Sequence, residues 1–113
     1  MNEFSFPTIN TIDDVLPSIE GSPEFYVNER ELYTTIMYRY VTPSTFTNDT
    51  MLECRGIKFS PEGEILARPL HKFFNMGEKI NFLEIDWDQP YRFTEKLDGT
   101  MVHTIILNDT LHL

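Results

Sequence analysis

The stretch "EFYVNERELYTTIMYRYV", residues 24–41, decides the fold. Its second half places Leu32, Thr34, Ile36, Tyr38 and Tyr40 on one face, and a period of two belongs to a half-buried strand rather than to a helix. A polar break near Asn28 to Arg30 divides the stretch, so it reads as two strands across a turn. Downstream, "CRGIKFSPEGEILARPL" (54–70) repeats the arrangement as strand, Pro-Glu-Gly turn, strand, with Arg55, Ile57 and Phe59 sharing one side of the first strand. The intervening "TPSTFTND" (42–49) reads as a loop or single turn. Upstream, "NTIDDVLPSIEG" (10–21) spaces Ile12, Val15, Leu16 and Ile19 as a helix would, with Asn10 or Thr11 as N-cap and Gly21 as stop. Pro17 inside that pattern removes a hydrogen bond and predicts a kinked or shortened helix. The expected class is α+β, mainly antiparallel β with a short N-terminal helix.

Further along, "HKFFNMGEKINFLEIDWDQP" (71–90) carries loop chemistry at Asn75 to Gly77 and at Asp86 to Pro90. "YRFTEKL", Asp98-Gly99 and "TMVHTIIL" then predict a hairpin, because Asp-Gly readily supplies the two positive φ values of a type I′ turn. "NDTLHL" (108–113) opens another strand. That strand is expected to lack its continuation, which makes the chain part of one domain with an open, aggregation-prone edge.

With 113 residues, 41% of them hydrophobic, the chain is long enough for a real core and too short for two ordinary domains. Eighteen acids against nine bases give a formal charge of −9, which works against non-specific attraction to nucleic acids and anionic membranes. Cys54 is the only cysteine, so neither an internal disulfide nor a multi-cysteine zinc site is available. The N-terminus lacks a basic start and an apolar core of signal-peptide type, and no apolar run reaches the length of a membrane span. The expected location is the cytoplasm, with no membrane partner.

Lys96 in "TEKLDGTM" (94–101) is the candidate nucleophile. An ordinary lysine is protonated at neutral pH, so nucleophilic use needs nearby positive charge or desolvation to favour the free amine. Arg55 and Lys72 are cations that could supply such charge if the strands share one sheet. Asp98 and Gly99 would let backbone N–H groups approach phosphate oxygens. Taken alone, Lys-x-Asp-Gly reads first as an ordinary hairpin turn.

Four ordered blocks go further: "MYRY" (37–40), "LECRGIKF" (52–59), "RPLHKFFNMGE" (68–78) and "EKLDGT" (95–100). Their order and spacing resemble the RNA ligase 1 family of bacteriophages, ATP-dependent ligases that rejoin broken tRNA. The resemblance implies part of a nucleotidyltransferase fold, with residues 1–113 as the N-terminal portion of one adenylation domain whose C-terminal portion is absent. It implies that Lys96 attacks the α-phosphate of ATP, that the resulting lysyl-adenylate passes AMP to an RNA 5′-phosphate, and that a 3′-hydroxyl then displaces AMP. Arg55 and Lys72 match positions that hold the triphosphate, and Tyr38 matches a phenol that donates to it. A planar guanidinium fork, a point-charge ammonium and a rigid hydroxyl donor suit that task. Covalent DNA ligases and capping enzymes carry an arginine where Met101 stands, whereas Arg55-Gly56 ahead of the lysine follows the RNA ligase 1 pattern and Thr100 keeps the usual hydroxyl. Magnesium would accompany ATP, with ligands expected outside this chain.

Each residue also has a plainer reading. Tyr38 could be a strand aromatic, Arg55 an exposed strand cation, and Lys72 the polar neighbour of a packing pair, Phe73 and Phe74. Cys54 reads as a small buried residue. His71, His103 and His112 lack metal-motif spacing, so no metal ligand is expected. Glu84, Asp86 and Asp88 read as a solvated loop. The alternative function is a non-catalytic nucleotide-binding relic, or a truncated ligase without activity of its own.

Overall fold

The computed structural model describes residues 6–75, 78 and 85–113. Strands β1 (Phe25–Glu29) and β2 (Thr34–Tyr38) pair antiparallel, from Phe25 opposite Tyr38 to Glu29 opposite Thr34. The turn falls later than Asn28 to Arg30: Asn28 and Glu29 stay in β1 because Thr35 and Thr34 pair with them, and the Arg30 N–H closes the reversal by donating to the Tyr33 carbonyl at 2.8 Å. Within β2 the alternation holds, with Thr34 and Ile36 buried and Tyr38 half-buried. Leu32 and Tyr40 lie beyond the strand ends and are exposed.

β3 (Ile57–Phe59) joins β2, and β4 (Ile65–Ala67) joins β3, giving an antiparallel sheet in the order β1-β2-β3-β4. The Pro-Glu-Gly turn between β3 and β4 forms as the sequence indicates. Gly63 takes φ 96°, and an added Cβ would sit 3.3 Å from the Ile12 side chain. That close approach lets the N-terminal segment lie on the turn, where the Ile12 N–H donates to the Gly63 carbonyl and the Ile65 N–H to the Asn10 carbonyl.

The predicted N-terminal helix is two pieces, a 3-10 turn η1 (Ile12–Asp14) and a single α-turn, α1 (Leu16–Ile19). Pro17 therefore stands in the first turn of α1, where a missing N–H costs nothing. The Asp14 carboxylate accepts from the Thr11 and Asn10 N–H groups at 3.0 and 2.8 Å, which holds its carboxyl below the usual range. A second helical turn, α2 (Asp49–Leu52), follows the stretch read as loop; the Asn48 side chain caps it by accepting from the Met51 N–H at 2.9 Å.

These pieces cover one face of the sheet. Ile9, Val15, Ile19, Phe25, Ile36, Met51, Cys54, Ile57 and Phe59 form the core between them. Cys54 is fully buried, and burial, followed by the charge of Glu53, pushes its thiol up to about 12.

The Asp98-Gly99 hairpin does not form. Residues 89–104 hold no strand, and the first strand after β4 among the described residues is β5 (Ile105–Leu107), paired antiparallel with β6 (Thr110–His112). The positive φ values, 50° and 62°, belong to Asn108 and Asp109, so the type I′ turn sits there. A lone two-stranded hairpin gains too little from pairing alone; it needs an apolar surface to cover. Ile105 and Leu107 have one beside β4, while Phe93 and Leu97 remain 83% and 77% exposed. The α+β class of mainly antiparallel strands with short helices stands.

Candidate functional site

Register brings the upstream candidates together. β2 and β3 pair as far as Ile36 with Ile57, where the Gly56 N–H donates to the Ile36 carbonyl, so Tyr38 and Arg55 both lie just past that pair, at the end of the sheet where β4 also leaves toward Lys72. The Lys72 N–H donates to the Leu52 carbonyl at 2.7 Å, fixing the segment that leaves β4 against the one before Arg55. The Arg55 Nη1 donates to the His71 carbonyl at 3.5 Å, and the guanidinium lies 5.1 Å from the Phe73 ring centre. The Lys72 ammonium lies 5.1 Å from the Phe74 ring. Tyr38 connects to Lys72 through rings: Tyr38 meets Phe46 edge-on at 5.6 Å, and Phe46 meets Phe74 at 5.8 Å.

The charge balance at this sheet end is unusual for so acidic a chain. Among the described residues, the ion pair is Arg68 with Glu53; Arg55 and Lys72 face aromatic rings and no carboxylate. Ring faces attract a cation without occupying its N–H donors in the way a carboxylate does. Two half-buried cations and a phenol are thus available to an anionic ligand.

Lys96, Asp98 and Gly99 are exposed on the segment without strand pairing. Among the described residues, no hydrogen bond, ion pair or ring contact ties Lys96 to Tyr38, Arg55 or Lys72. The condition attached to the sequence reading, strands packed into one sheet, is not met, because β5 and β6 form a second sheet.

Comparison with known proteins bears on the same residues. A family model described as RNA ligase matches residues 53–113, more than half of the chain. The chain belongs to the RNA ligase 1 family. Within that match lie Arg55, Lys72 and Lys96, with Tyr38 ahead of it. The chain is 36% identical over 105 residues to a putative RNA ligase of Thermovibrio ammonificans, covering 91% of this chain and 28% of the relative. It is 46% identical over 72 residues to RNA ligase 1 of bacteriophage TS2126, covering 62% of this chain and 18% of the relative. The chain thus spans less than a third of either relative's length. No solved structure matches it.

Several contacts around the site were not read from the sequence. Phe46 joins Tyr38, Phe74 and Phe25; its only signal was a lone aromatic in a polar loop. Lys58 donates to the Gly56 carbonyl at 3.0 Å and meets His103 Nε2 at 3.3 Å. His103 Nδ1 faces the Thr104 carbonyl, which only accepts, so the proton sits on Nδ1 and Nε2 accepts from Lys58. That bond ties the stretch following Lys96 to β3. Asp86 accepts from the Asp88 N–H within a tight turn, so the two acids do not share an extended face; Glu84 and Gly77 lie outside the described residues.

Proposed function

We propose that the chain is the N-terminal part of the adenylation domain of an ATP-dependent RNA ligase, built on a nucleotidyltransferase fold and acting in the cytoplasm on RNA ends such as those of broken tRNA. The observation that carries this reading is the meeting of Tyr38, Arg55 and Lys72 at one end of the sheet, with neither cation paired to a carboxylate among the described residues, inside a chain of the RNA ligase 1 family. In this reading Arg55, Lys72 and the Tyr38 hydroxyl hold the triphosphate of ATP, and the Asp98-Gly99 backbone approaches it beside the nucleophile. The Lys96 amine donates its lone pair to the α-phosphorus, a P–N bond forms, and the bond to pyrophosphate breaks. The proton passes to solvent. The cations stabilise the charge that grows on the leaving pyrophosphate. AMP then moves to an RNA 5′-phosphate and leaves when a 3′-hydroxyl attacks.

Magnesium is the metal this chemistry calls for, but among the described residues no three His, Cys, Asp or Glu side chains converge to hold one. In this reading its ligands come from outside this chain. No described helix is long and apolar enough to cross a membrane.

The exposure of Lys96 away from the cation cluster favours a second reading for the 113 residues by themselves: nucleotide binding without adenylation. Incubation with α-labelled ATP and magnesium separates the two. The expected result is covalent label in a form extended downstream, lost in Lys96→Ala. Absence of label in both the extended form and this chain would leave binding alone.

A further inference from the structure

Residues 68–72 carry Lys72, yet they leave β4 without strand pairing, so their position depends on individual ties. The strongest is at Arg68. Its Nε donates to Glu53 Oε2 at 3.0 Å and its Nη2 to Glu53 Oε1 at 3.0 Å, a two-point fork, while Nη2 also donates to the Pro7 carbonyl at 2.8 Å. Glu53 is 2% exposed. A carboxylate that deep is strongly unfavourable without its cation, so the pair stays closed. A bidentate fork fixes direction as well as distance. Glu53 stands two residues before Arg55, and Arg68 four before Lys72, on the two segments that the Lys72 to Leu52 hydrogen bond also joins.

We propose that Glu53 and Arg68 are a positioning pair that holds Arg55 and Lys72 at the separation needed to grip one polyphosphate. The inference rests on the triphosphate role assigned above to those two cations. It explains why, among the described residues, this guanidinium is engaged by a buried acid while Arg55 and Lys72 face aromatic rings. Both Glu53 oxygens are engaged by Arg68, which keeps this buried carboxylate from repelling the anion.

Arg68→Lys tests this, because lysine keeps the charge and removes the fork. Two readouts on the 113-residue chain suffice: amide hydrogen exchange by NMR, and calorimetric titration with inorganic tripolyphosphate. Exchange at the Lys72 amide is expected to rise about tenfold, while the Arg30 amide at the far turn stays unchanged. Affinity for tripolyphosphate is expected to fall about tenfold, with Arg68→Lys and Arg55→Ala together costing clearly less than the product of their separate factors, since the fork matters only while Arg55 and Lys72 grip the same anion. Equal exchange changes at Lys72 and Arg30, or multiplying factors, overturn the positioning role. If the unaltered chain ignores tripolyphosphate, the triphosphate reading fails; a selective rise at Lys72 would still support the tie between the two segments, and its absence would remove that as well.

Discussion

The sheet formed by β1 to β4 and the segment from residue 85 onward answer the same apolar patterning in opposite ways. In the first, Ile36, Ile57 and Phe59 disappear completely beneath η1, α1 and α2. In the second, Phe93, Leu97, Val102, Ile106 and Leu111 remain mostly exposed, and Ile105 and Leu107 find cover beside β4. Alternation alone makes a strand possible; a surface that rewards burying one face makes it form. The candidate site is divided along this line, with Arg55 and Lys72 on the first region and Lys96, the candidate nucleophile, on the second.

The contrast can be broken most directly by matched truncations. Phe59→Ala should cost about 3–5 kcal/mol by opening a cavity in the core, whereas Phe93→Ala should stay within about 0.5 kcal/mol. Denaturant unfolding of both variants checks this, and comparable losses would show that the second region is packed after all.

A smaller effect sharpens the picture of the core through Cys54. Its folded-state thiol titrates near 12 against an ordinary value of 9.0, so between those values the unfolded chain has released a proton that the folded chain retains. Stability should therefore fall as pH rises above about 9, by up to about 1.4 kcal/mol per pH unit. Lys58 acts with the opposite sign, because burial lowers its pKa from 10.5 and the unfolded chain then holds the extra proton. Subtracting the profile of Cys54→Ala isolates the thiol; an unchanged slope in that variant would mean that Cys54 reaches water. Smallest of the three, Asn48→Ala should cost about 1 kcal/mol through the lost cap of α2, read as a drop in thermal midpoint, and no change would show that α2 needs no cap.

Much of the first region was legible because its signals are local. The β2 alternation, the Pro-Glu-Gly turn and the apolar positions of the N-terminal segment each depend on neighbours within a few residues. Misreadings arose where two local signals competed. Asp98-Gly99 and Asn108-Asp109 are both turn pairs, and the second prevailed because its flanking residues reach a covered position. One turn of helix at Asp49–Leu52 is too short for a periodicity to register. Phe46, Glu53 and Arg68 could not be singled out, since their partners lie far away in sequence or in a loop of no regular pattern.

By itself the sequence determined the α+β class, the antiparallel pairing of β1 with β2 and of β3 with β4, and the residue types suited to phosphate, all of which follow from side-chain period, turn chemistry and charge. Tertiary structure alone decided that Tyr38, Arg55 and Lys72 meet while Lys96 stands apart. Such meetings depend on strand register and on which surface has an apolar face to cover, quantities that no short window of residues contains.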